Sequence, residues 1–85
     1  MTMVKTLEEA QVLLADVLLR HRAEITVAQA RTLAEELPAL LARGNGEGML
    51  ELALGDDKVR LKLVAERHEY QVRVDPDGFA SYKRF

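Results

Sequence analysis

The chain has 85 residues, 48% of them hydrophobic and 31% charged, with 12 basic against 14 acidic side chains and a formal net charge of −2. It has no Cys, which excludes a disulfide framework, a thiolate metal site and a cysteine nucleophile. No apolar run approaches the roughly 20 residues of a membrane helix, and the hydrophobic content is too high and too periodic for disorder.

The opening Met1-Thr-Met-Val-Lys5 lacks the apolar stretch of a signal peptide, so a cytoplasmic location with no membrane partner is the expectation. A domain this small buries only a little over ~60% of the surface its unfolded chain exposes. Oligomerisation is the usual remedy where no disulfide or metal assists.

Two helices are expected first. Thr6-Leu-Glu-Glu9 fits a capping box, and Leu7, Ala10, Leu13, Leu14, Val17 and Leu18 recur at helical spacing. Arg20-His-Arg22 supplies cations for the last turn, which places helix 1 at about residues 7–22. A second capping box, Thr26-Val-Ala-Gln29, opens helix 2 at about 27–43, with Gly44 as its stop. The short link between them makes an antiparallel hairpin. Pro38 cannot donate to the Ala34 carbonyl, so a kink or a separate short turn is expected there.

Beyond the Gly44-Asn-Gly-Glu-Gly48 loop the period changes from 3.6 to 2. Alternation of Leu50, Leu52 and Leu54, then Val59, Leu61 and Leu63, then Tyr70, Val72 and Val74 predicts strands at about 49–54, 58–65 and 69–75. Gly55-Asp-Asp57 reads as a tight hairpin pairing Leu54 with Val59 and Glu51 with Lys62. Asp75-Pro-Asp-Gly78 is the strongest turn signal and leads into a last strand at about 79–84, with Ala80 and Tyr82 facing inward. The predicted fold is α+β in two layers: an N-terminal antiparallel helical hairpin packed on one face of a four-stranded antiparallel β-meander, ααββββ, forming one domain over residues 1–85.

Two surfaces stand out. Helix 1 carries a second apolar strip, Val12, Ala15 and Leu19, rotated away from its main face. With Phe79 and Phe85 on the last strand, these residues are candidates for a homodimer or other protein interface. The outer sheet face should hold Lys58, Arg60, Lys62, Gln71, Arg73, Phe79, Ser81, Lys83 and Phe85. Residues 58–85 carry seven basic and four acidic side chains, against the acidic balance of the whole chain. Cations beside aromatic rings on an open sheet are what single-stranded nucleic-acid binders use, so Lys58, Arg60, Lys62, Arg73 and Lys83 form an alternative, anion-binding face.

Catalytic and cofactor chemistry finds no motif. The glycine loop follows a helix instead of preceding one and lacks Lys-Ser/Thr, so it reads as a connector, not a phosphate loop. His21 and His68 are isolated, Asp75 and Asp77 lack the later ligands of a calcium loop, and Ser81 sits in no nucleophile elbow. The expectation is a non-enzymatic interaction or accessory module without cofactor or metal. Its expected partner is a second copy or another protein, with single-stranded nucleic acid as the alternative.

Overall fold

The computed structural model describes all of residues 1–85. Its elements are β1 (Thr2–Val4), α1 (Leu7–Arg20), α2 (Val27–Ala42), β2 (Gly48–Gly55), β3 (Lys58–Ala65), β4 (His68–Val74) and β5 (Ala80–Arg84). The helical hairpin and the meander are as the periodicity predicts. The sheet has five strands, however, in the order β1-β2-β3-β4-β5. Thr2 pairs with Leu50 and Val4 with Gly48, so the residues before helix 1 add an antiparallel edge strand. Three residues hold too little alternation to announce themselves, and their partner lies more than forty positions away.

Both expected registers of the first hairpin hold: Leu54 faces Val59 and Glu51 faces Lys62. Asp56 and Asp57 take φ of 55° and 64°, the doubly left-handed pair that a two-residue turn needs to match strand twist. At the Asp75 turn the Gly78 N–H donates to the Asp75 carbonyl at 2.8 Å, and the loop closes through Asp75 N–H to the Phe79 carbonyl at 3.0 Å.

Thr6 caps α1 by accepting from the Glu9 N–H at 3.1 Å. The second box is fully reciprocal. Thr26 Oγ1 accepts from Gln29 N–H at 3.0 Å while Gln29 Oε1 accepts from Thr26 N–H at 2.9 Å. α2 then runs unbroken through Pro38. Pro38 and Ala34 both lie on the exposed side, so the carbonyl that proline leaves unpaired faces water and the helix need not end.

Leu33, Leu37, Leu40 and Leu41 of α2 lie over Leu61, Leu63, Val72 and Val74 and form the centre of the core. α1 is more loosely seated, burying fully only Ala10 and Leu14 against α2 and the β1 end of the sheet. No helix is long and apolar enough to cross a membrane.

Candidate interaction surfaces

α2 is pinned to the sheet by polar side chains. Gln29 is only 1% exposed, and its Nε2 donates to the Asp57 carbonyl at 2.9 Å and the Val74 carbonyl at 3.2 Å. Thr26 Oγ1 donates to the Pro76 carbonyl at 2.9 Å, and Thr32 Oγ1 to the Gly78 carbonyl at 2.7 Å. Farther along, Glu36 accepts the Tyr82 hydroxyl, and the Arg43 guanidinium stands 6.0 Å from the Tyr70 ring centre and 5.9 Å from that of Tyr82. One flank of α2 thus holds the 75–78 loop and the inner side of β5. These contacts join residues more than twenty-five positions apart, which no local pattern reports.

The five residues of the expected protein interface divide between two surfaces. Val12, Ala15 and Leu19 are all exposed on α1, Val12 beside β1 and Ala15 toward α2. Phe79 and Phe85 flank β5, at the opposite edge of the sheet. They cannot belong to one contact within a single protomer face.

At the β1 end, an open groove of about 450 Å³ runs between that strand and α1, floored by Met3, Val12 and Leu13 and rimmed by Glu8, Glu9 and Asp16. Asp16 is paired with Arg20 one turn on. A second cavity, of about 220 Å³, lies between α1 and the half-buried inner side of β2, where Leu13, Val17 and His21 approach Leu50 and Leu52.

The β5 end is of a different kind. Every residue of β5 is exposed, with Phe79 at 73% and Phe85 at 58% exposure on either side of it. Glu69 and Phe85 exchange both backbone hydrogen bonds, which fixes the phase of the ladder. Antiparallel alternation therefore aims Ser81 and Lys83 backbone groups at β4, and leaves the N–H and C=O of Ala80, Tyr82 and Arg84 pointing out of the sheet. Their side chains alternate too. Ala80 and Tyr82 share the inner face with Val74 and Val72, as expected, and Ser81 and Lys83 lie outside.

The outer face does assemble the predicted cations. Lys62, Gln71 and Lys83 form one row across β3, β4 and β5, and Arg60, Arg73 and Ser81 form the next. Lys58 lies 3.9 Å from Asp75. Arg60, Lys62, Arg73 and Lys83 have no carboxylate within 4.0 Å, although Glu51 and Glu69 share the face; Glu51 lies 3.8 Å from the Met1 amino group instead. The Lys83 Nζ sits 5.3 Å from the centre of the Phe85 ring.

No family model, curated protein or solved structure matches the chain.

Proposed function

We propose that the chain is a non-catalytic interaction module, acting in the cytoplasm as a homodimer in which β5 of one protomer pairs antiparallel with β5 of its partner. The observation that supports this reading is the symmetry of β5 about Tyr82. Phe79 and Phe85 stand three residues to either side. A twofold axis through Tyr82 sets each Phe79 beside the partner's Phe85 and each Lys83 beside the partner's Ser81. On the inner face it pairs Ala80 with the partner's Arg84. No like charges oppose one another, and the exposed rings meet.

Neighbouring registers are worse. Sliding the axis to residue 83 opposes two lysines, and sliding it to residue 81 leaves Phe85 against the partner's Asp77. In the favoured register the outward N–H and C=O groups of Ala80, Tyr82 and Arg84 all find partners, which removes an exposed sheet edge. The Val12, Ala15 and Leu19 strip offers no such backbone groups and is flanked by Gln11 and Asp16, so α1 is not assigned the seam. The test is the solution mass by sedimentation, wild type against Ala80→Pro. That substitution deletes an N–H used only between protomers, and proline is tolerated on an edge strand.

A further inference from the structure

We propose that the outer face of the sheet binds single-stranded nucleic acid, with Arg60, Lys62, Arg73 and Lys83 holding phosphates around the side-chain amide of Gln71. The site lies within one protomer and does not depend on pairing through β5.

Four cations without a carboxylate partner surround Gln71 in adjacent rows of the sheet. Gln71 is on the solvent side of the central part of the sheet, yet only 6% exposed, with Lys62 and Lys83 as its row neighbours. The Gln71 amide has no partner among the side-chain hydrogen bonds of the fold. No buried side-chain N or O in the fold is left unpaired, so the Gln71 amide reaches water, among these four cations.

The register adds a second observation. Arg60 directly faces Arg73 across β3 and β4. Because the β4 even-numbered residues share the ladder bonds with β3, this is a non-hydrogen-bonded pair, the kind whose side chains lie closest. Like charges so placed repel and destabilise the sheet. A phosphate between them reverses the sign of that interaction, since guanidinium groups bind phosphate in a bidentate manner.

The shape of the face selects the ligand class. Arg60, Lys62, Gln71 and Arg73 line none of the five cavities, and Lys83 borders only one at the β5 edge, with Arg43, Tyr70, Tyr82 and Arg84, so the face itself holds no enclosure for a small phosphate compound. An extended polyanion suits an open surface. No element protrudes from the sheet to enter a duplex groove, whereas single strands lay splayed bases across such faces. In a protomer whose β5 is unpaired, Phe85 beside Lys83 offers a ring on which a base can stack.

The experiment is fluorescence anisotropy with a labelled oligothymidylate of roughly 16 nucleotides, within the site sizes of small single-strand-binding folds. Wild type is expected to bind at low salt, with log affinity falling against log salt at a slope near −2.8, about −0.7 for each of four phosphates. The Arg60→Ala, Arg73→Ala double variant should bind at least tenfold more weakly, with the slope reduced to about −1.4. Gln71→Leu should weaken binding severalfold and leave the slope unchanged. Lys58→Ala, whose cation already faces Asp75, should leave the slope close to wild type, and circular dichroism should show all variants folded. The proposal is overturned by absence of binding at ~50 mM salt, by retention of wild-type affinity in the double variant, by tighter binding of the duplex, or by equal binding of inorganic polyphosphate, which lacks bases.

Discussion

Gln29 reaches from the first turn of α2 to the Asp57 carbonyl at 2.9 Å, so the start of a helix is tied to the tip of the β2–β3 hairpin. The same amide nitrogen also reaches Val74, and the amide oxygen completes the cap on Thr26. One side chain thereby fixes three segments.

Gln29→Leu keeps approximate volume but removes all of these bonds, taking a partner from the Thr26 N–H and from the Asp57 and Val74 carbonyls. Leaving such groups unpaired costs on the order of 2–3 kcal/mol. Urea unfolding should show that loss as a lower midpoint with an unchanged slope. A change below about 0.5 kcal/mol, the ordinary range for surface substitutions, would contradict the role given to Gln29.

Gly78→Ala tests the docking of the 75–78 loop on α2. Gly78 has φ of +90°, and a Cβ there would lie 3.1 Å from both the Ala28 carbonyl oxygen and Thr32 Oγ1. Gly46 has the same φ of +90° but nothing within 4 Å of its would-be Cβ. Both alanine variants carry the conformational penalty, of order 1 kcal/mol. Only Gly78→Ala adds the crowding, so its thermal midpoint should fall further. Equal losses would mean that the loop does not depend on its approach to α2.

Much of this architecture was legible in the residues themselves. Alternation from Leu50 to Val74 gave strand positions, and the Asp56-Asp57 turn then set the register down to Glu51 facing Lys62. What escaped was long-range. β1 is three residues without a turn signal, recognisable only once Gly48–Leu50 presents a free edge. A helical projection of α2 does not show that the 75–78 loop and β5 fold up beside Thr32, Glu36 and Arg43. Gln71 reads as one more outward polar residue. Its row neighbours, Lys62 and Lys83, belong to two other strands.

The register proposed for β5 makes a prediction specific to pairing between residues 79 and 85. A variant carrying Phe79→Lys and Phe85→Lys opposes like charges across the dyad, and so does one carrying Phe79→Asp and Phe85→Asp. Each alone should be monomeric. Mixed in equal amounts, they should form a heterodimer with lysine facing aspartate, detectable by native mass spectrometry. Failure of the mixture to associate, with each variant folded, would exclude this register.

Leu19→Glu should leave the association state unchanged, because α1 lies at the β1 end of the sheet, away from β5. Size-exclusion chromatography is sufficient here. Dissociation by Leu19→Glu, with β5 variants still dimeric, would move the seam to α1.

The central claim is that two copies join through β5, and sedimentation equilibrium at micromolar concentration tests it most directly. Wild type is expected at twice the 9.5 kDa chain mass, and folded Ala80→Pro at the single mass. Wild type sedimenting at 9.5 kDa, or an Ala80→Pro variant that stays dimeric, would contradict the account.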